Sequence, residues 1–567
     1  MSMTEVNRSS GTQADLVLKN GFVYTVDQAH TTASALAIKG DSIRYIGDDA
    51  GTLPLTGGDT LVIDLQGKLV LPGFFDSHTH ASCGADEIYS VILNNLCSLE
   101  EYRQAIRSFL ELHPGTGLLR GVGWHPPFFP PEGPSRQLLD EWVPGIPAVL
   151  YAQDYHSVWV NTKALELAGV TRDTQDPAEG IIQRDPLGNP SGTLHESALS
   201  LVEKIIPPYT VDQLVEGLKY FQQTAHSYGI TSVHIPHLGD VERELEALYR
   251  MIDEEILDLR VVTGLVVQPE DDLAVVEKLV EQRRLVKEHM QAKSDTGNPA
   301  CFEIKTAKLF VDGVIESATA YLEQPYAHRP GWRGDPLWEP ARFNAMCALL
   351  ERAGFQIHVH AIGDAAVRTA LDGIAYACQS NRGLPDGKPR HGITHLQLVN
   401  PQDLQRFADL DVIAFPQPYW FIVDPFYEQA VTYLGQARAD RQYPMKSFFD
   451  RGVLVASASD YPVTIPARPL NAIENGVTRA QLGETDPARV LNPAERVTLP
   501  RMLASFTLNG ACAFNLDKIT GSLETGKKAD LVVLDKNIFD LPPSEIHTAN
   551  VLLTILNGRV VYRSSAF

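Results

Sequence analysis

From about Phe74 to about Asn509 the chain repeats one unit, a short apolar strand followed by a helical stretch. The strand candidates are GFFDSHTH, GITSVHIP, LRVVTGLVV, TAKLFVDG, FQIHVHAIGD, HGITHLQLV, DVIAFPQP and VLVASASDYPV, separated by stretches such as VDQLVEGLKYFQQTAHSYG and PARFNAMCALLERAG. Eight strands alternating with helices predict an α/β fold, a (β/α)8 TIM-like barrel. A doubly wound open sheet is the rival. It would carry a glycine-rich phosphate loop after its first strand, and this chain has none.

The two ends read differently. ADLVLKNGFVYTVD, SALAIKGDSIRYIGD and DTLVIDLQGKLVLPG alternate apolar and polar residues between turns, and the same pattern returns in GSLETGKKADLVVLD and NVLLTILNGRVVY. Neither end has strands enough for a stable unit alone, so residues 1–73 and 510–567 are predicted to form one small β-sandwich, with the barrel (74–509) between them. Between the first two barrel strands lies a long stretch, about 112–208, rich in proline and aromatics (GWHPPFFPPEGP). Barrel connections are normally short, so this stretch predicts a lid or substrate subdomain over the barrel mouth.

Charge narrows the partners. The 48 Lys and Arg against 70 Asp and Glu leave −22, which disfavours phosphate backbones and anionic lipid and leaves a small molecule as the expected partner. Six cysteines without CxxC spacing indicate neither a disulfide framework nor a thiolate zinc site. With a polar start and no apolar run of membrane-spanning length, the expected location is cytoplasmic.

The residues that suit chemistry fall at strand ends, where barrel enzymes keep it. His78 and His80 are two apart on the first strand, so both face one side, and two converging imidazoles suit a divalent ion such as zinc. His360 ends the fifth strand, His395 lies on the sixth and Asp460 ends the eighth. Lys308, on the fourth, would be repelled by a bound cation. Two readings of it stand: the ammonium points away, or the amine has taken up CO2 as a carbamate able to bridge two metals.

In this order, FFDSHTH, the strand lysine, VHVHAIGD, THLQ and SDYPV resemble the amidohydrolase superfamily, and the chain from about residue 15 to 562 is similar to its amidohydrolase-3, or YtcJ-like, branch. DYHSVWVNTKAL, GNPSGTLHES and RPLNAIENGVTR add to the likeness. That branch includes N-substituted formamide deformylases. The resemblance implies His78 and His80 as ligands of one metal, Lys308 as a carbamylated bridge, His360 and His395 as ligands of a second, and Asp460 as ligand and proton shuttle. Zinc is the expected metal, and manganese, iron or cobalt share such ligands. His156, in DYHSVWVN, is implied as a catalytic group contacting substrate or oxyanion. Trp124, His125, Asp154, Glu196 and Asp312 are read as substrate-binding. His358 and His391 are read as structural, and His234 and His237 as surface or packing residues. A homodimer is left open.

The expected reaction is hydrolysis of an amide C–N bond in a small molecule by metal-activated water. Ester, lactone or carbamate hydrolysis would use the same residues. Ring deamination generally places a glutamate in HxxE after the fifth strand, and HAIGDAA supplies none. A barrel that only binds a partner would be expected to have lost ligands, and all six candidates stand. Two departures from the family pattern lie at the mouth: Thr394 stands where a glutamate is common, and DGVIESATA replaces DGSLGSRTA, losing an arginine and gaining Glu316.

Overall fold

The computed structural model describes residues 13–130, 132–177, 180–295, 301–383 and 390–567; Met1 to Thr12 of the polar start lie outside them. Seven parallel strands form the central sheet: β1 (Phe74–Asp76), β2 (Ile230–Ile235), β3 (Arg260–Val266), β4 (Cys301–Phe310), β5 (Gln356–Ala361), β6 (Gly392–His395) and β7 (Ile413–Phe415). They lie side by side in chain order. β2 and β5 are buried at every position, as strands covered on both faces must be, although half of their residues, among them His234, His358 and His360, are polar. The crossover helices start on side-chain caps: Thr210 forms a capping box with Gln213, and Glu339 accepts from the amides of Ala341 and Arg342.

The eighth predicted strand is less regular. Segment 453–460 meets β7 through Ala414 N–H to Leu454 O and Ala456 N–H to Ala414 O, and meets the β1 end through Ser77 N–H to Ser457 O and Asp460 N–H to His78 O. It thus bridges the two edges of a parallel half-barrel. Its own hydroxyls explain the broken ladder: Ser457 bonds Ser505 and Ser459 bonds Asp76, side-chain contacts that compete with strand pairing.

Both chain ends share one six-stranded sheet, in which Leu531–Leu534 lies between Val551–Leu556 and Leu69–Pro72. Its period of two is visible in burial: Leu531 and Val533 join the small core with Leu16, Leu36 and Ile38 of a four-stranded sheet, whereas Val532 and Leu534 join the barrel core. A buried ion pair crosses the same boundary, Arg260 Nε to Asp530 Oδ2 at 2.7 Å.

The inserted region carries its own six-stranded mixed sheet and starts earlier than predicted, at Val91–Ile92 rather than near 112. Helix Leu99–Leu112 belongs to it, because Tyr102 and Ile106 pack with Leu119, Leu150 and Trp159 of that sheet. An amphipathic helix announces an apolar face but not the sheet it covers.

Candidate active site

The C-terminal ends of β1, β4, β5 and β6 open into one cavity of about 1010 Å³, whose other wall comes from the inserted region and from residues 419–427. His78, His80, Lys308, His360, His395 and Asp460 all line it. Asp460 sits at the junction. Its Oδ1 is 3.3 Å from His78 Nε2 and 3.2 Å from His80 Nε2, and its Oδ2 is 3.8 Å from His395 Nδ1. His78, His395 and Asp460 each offer a ligand atom within 4.8 Å of the others.

Neighbours set the orientation of these rings. His78 Nδ1 lies 2.8 Å from His358 Nε2, so the residue read as structural packs directly on a ligand candidate and, by accepting its Nδ1–H, would leave the His78 Nε2 lone pair facing Asp460. His395 Nδ1–H donates to Gln417 Oε1 at 3.2 Å, and Gln417 is itself fixed by donating to Thr394 Oγ1 and Phe415 O. Gln417 carried no motif that could have singled it out. His360 Nε2–H donates to Gly313 O at 3.1 Å, with Asp312 Oδ1 at 3.7 Å.

Burial, with Lys308 nearby, pushes His78 and His360 well below the ordinary imidazole range, and burial beside His360 does the same to His395. These rings are neutral, with lone pairs to give. Burial opposes charge on Asp460 too, but His80, His395 and Lys308 hold its carboxyl below the usual carboxylate range, so it is ionised. Burial lowers the Lys308 amine to about 7, with Asp460 partly opposing.

On the facing wall, His156 Nδ1 lies 2.8 Å from Glu196 Oε2. Burial works against charge on His156, yet Glu196 and Asp154 outweigh it and raise the ring to about 9. The His156 and His360 ring centroids are 5.6 Å apart, which places an imidazolium beside the ligand candidates.

The remaining predicted residues separate. His125 and Asp154 line the cavity. Glu196 acts through His156 and is not a wall residue. Trp124 lies in the core of the inserted sheet, 1 % exposed, its indole N–H donating to Leu150 O, so its bulk serves packing. Asp312 is also off the wall: its carboxylate accepts the amides of Tyr321, Ile362 and Gly363, which ties the loop after β4 to the end of β5. His234 packs inside the barrel between Ser77 O and Thr306 Oγ1. His237, read as a surface or packing residue, faces the cavity with its ring 5.0 Å from His80. His391 stays below, accepting from Ile357 N–H and reaching Glu351.

Comparison with known proteins decides the family, since the amidohydrolase family model matches residues 61–562. The chain belongs to the amidohydrolase family. It is 27% identical to an N-substituted formamide deformylase of Arthrobacter pascens over 97% of this chain and 98% of that one. It is 26% identical to the putative amidohydrolase YtcJ of Bacillus subtilis, covering 96% and 99%. Among solved structures, an uncharacterized metal-dependent hydrolase from Pyrococcus furiosus superimposes with a TM-score of 0.68 at 26% identity, covering 92% of this chain and 99% of that one. This amidohydrolase is thus a metal-dependent hydrolase acting on carbon–nitrogen bonds. Among the described residues, no helix is long and apolar enough to cross a membrane.

Proposed function

We propose that the enzyme cleaves the amide bond of a small N-acyl or N-formyl amide, or of a cyclic amide. One juxtaposition carries this reading: the ionised Asp460 among His78, His80 and His395, and, on the facing wall of the same cavity, His156 backed by Glu196. The name of the Arthrobacter relative points the same way.

The donor set fits a divalent metal, because neutral imidazoles and an ionised carboxylate converge with no competing arginine on the wall. His78, His80, His360, His395 and Asp460 would hold two zinc ions, with Lys308 as its carbamate between them. The depressed Lys308 amine supports this, since only the unprotonated amine adds CO2. Bound metal supplies an acidified water and an electrophile for the carbonyl oxygen.

The chain's own groups do the rest. Asp460 Oδ2, the oxygen not shared by His78 and His80, takes a proton from the attacking water and returns it to the leaving nitrogen. His156 has Nδ1–H committed to Glu196, so its Nε2–H is the donor for a carbonyl oxygen gaining charge. His125 and Phe128, stacked with centroids 5.1 Å apart, keep water from that wall. One water is consumed, giving an acid and an amine that stay joined in one molecule when the amide is cyclic.

In this reading the seven strands and segment 453–460 form one (β/α)8 barrel, the terminal sheets its β-sandwich companion, and the inserted sheet a lid over a cytoplasmic enzyme's mouth. The test is a panel of N-formyl, N-acetyl, cyclic amide, carbamate and lactone compounds on metal-loaded protein, with His360→Asn as control. Amide turnover abolished in the control is the expected result. Turnover confined to ring deamination, or indifferent to the control, would overturn it.

A further inference from the structure

Residues 463–465 follow Asp460 along the cavity wall, and three side chains from elsewhere in the chain hold them one after another. Gln153 Nε2–H donates to Val463 O at 3.0 Å. Trp420 Nε1–H donates to Thr464 Oγ1 at 3.0 Å, and Asn95 Nδ2–H donates to Ile465 O at 2.9 Å. Trp420 belongs to the wall 419–427, and its indole is stacked with the His395 ring at a centroid distance of 5.8 Å. Gln153 and Asn95 come from the inserted region.

The Gln153 contact differs from the other two in what it joins. On one side, Val463 N–H donates to Asp460 O at 2.8 Å and closes the turn that begins at Asp460. Asp460 stands there at φ 56°, with its own N–H on His78 O at 2.8 Å. On the other side, Gln153 follows the strand Ala148–Ala152, its N–H donating to Trp124 O at 2.9 Å. The chain then turns tightly: Tyr155 N–H donates to Ala152 O at 3.1 Å, and Tyr155 stands at φ 61°. His156 N–H donates to Asp154 Oδ1 at 3.0 Å. One hydrogen bond thus ties the turn that carries Asp460 to the turn that carries His156, and each turn has a side-chain-bearing residue in the left-handed region, which is kept only where neighbours hold it.

The orientation of the Gln153 amide follows from its partner, since a carbonyl only accepts and Nε2 must face it. Its Oε1 is buried without a hydrogen-bond partner among the described residues. An amide bonded at one end and orphaned at the other adds little net stability. What the contact supplies is position.

We propose that Gln153 is a positioning residue for the hydrolysis: through Val463 it sets the distance between Asp460 and His156, so that the proton for the leaving nitrogen and the donor for the carbonyl oxygen reach the same bond. This rests on the amide-hydrolase reading for the roles of Asp460 and His156, but not for the tie itself. A misplacement of about 1 Å at a reacting group costs about 10²-fold in rate.

The test compares Gln153→Met, which keeps the reach of the side chain and loses the donor, with Gln153→Lys, which restores one. In metal-loaded Gln153→Met, metal content should be unchanged and the melting temperature should stay within about 2 °C. On the N-formyl or N-acetyl amide turned over fastest, kcat should fall at least about tenfold with KM changed less than about twofold, because position counts most in the transition state. Gln153→Lys should regain much of that rate. Hydrogen–deuterium exchange gives a readout that needs no turnover: the Val463 amide, which holds Asp460 O, should exchange at least about threefold faster in Gln153→Met, the scale of one net hydrogen bond. An undiminished kcat in Gln153→Met, a loss matched by lost metal or lost fold, or a Gln153→Lys no faster than Gln153→Met would overturn the proposal. If exchange at Val463 quickens while the unaltered enzyme turns over no amide, the hydrolase reading fails and the tie between the two turns stands. If amides are turned over equally by both proteins and the exchange is unchanged, the proposal fails and the hydrolase reading stands.

Discussion

Glu196 Oε2 lies 2.8 Å from His156 Nδ1, and Glu196 holds that position with φ 51° and ψ −130°, in the left-handed half of backbone space that a glutamate rarely occupies. Its other oxygen accepts from Thr319 Oγ1, and a Cβ built on Gly313 would stand 2.5 Å from Oε1, so the loop after β4 closes over the pair only because position 313 is glycine. Strain of this kind persists where the surroundings over-determine it, commonly at functional sites.

The charge on His156 depends on that glutamate. With the ring raised to about 9, the rate should fall on an alkaline limb near pH 9 as the imidazolium is lost. Glu196→Gln removes the negative neighbour that favours the charged form, so the limb should move to lower pH by about 1 unit or more. At pH 8 kcat/KM should drop about twofold for a shift of one unit and about tenfold for a shift of two. A pH–rate profile of both enzymes checks this, and a limb that stays in place would refute the pairing as the cause.

Asp460→Asn keeps an oxygen among His78, His80 and His395 but cannot take a proton. Metal content should be retained at more than half, with kcat falling about 10³-fold or more. Metal analysis beside turnover separates the two effects. A variant that keeps its rate would remove Asp460 from proton transfer.

The parts of this molecule legible in the sequence are those whose side chains repeat with the backbone. The HxH pair on β1 and the strand-end histidines of β5 and β6 could be placed because a strand sends alternate residues to one side, and they line the cavity. Trp124 and Asp312 could not be placed in this way: an aromatic in a proline-rich segment and an acid beside a strand end look the same whether they face substrate or a neighbouring backbone. Gln417 and His358 orient the ligand candidates through contacts 22 and 280 residues away, which no local pattern encodes.

Lys308 offers a test that needs no substitution. At an amine pKa of about 7 a large share of the side chain is unprotonated at neutral pH and can add CO2. Metal-free enzyme reloaded with zinc in CO2-depleted buffer should regain activity slowly and incompletely, and added bicarbonate should speed and complete the recovery. Recovery at one rate in both buffers would argue that Lys308 stays an amine.

The pair Arg260–Asp530 joins β3 to the terminal sheet and is buried, with Asn557 also accepting from the guanidinium. Removing one member leaves the other charged and unpaired out of water, so Arg260→Met should cost about 3–5 kcal/mol. Adding Asp530→Leu should recover much of that loss, because two apolar side chains can replace a buried ion pair at little cost. Urea midpoints of the three proteins decide it, and a double variant no better than the single would show that the pair does more than neutralise itself.

Glu316 predicts a pH dependence of stability with an unusual sign. Most paired carboxylates are lowered by folding and stabilise the native state as pH rises. Glu316 is raised from 4.5 to about 7, by burial first and by Asp154 next, with His156 opposing and Asp424 adding a smaller push upward. Between about 4.5 and 7 the folded chain therefore holds a proton that the unfolded chain has released, and folding stability falls as pH rises through that window. Below it both states are protonated and the penalty vanishes. Glu316→Gln removes the titrating group, so its melting temperature should match the unaltered enzyme near pH 4.5 and exceed it by a few degrees at pH 8. A melting difference that stays constant from pH 4.5 to 8 would mean that Glu316 is not an uncompensated acid in the folded enzyme.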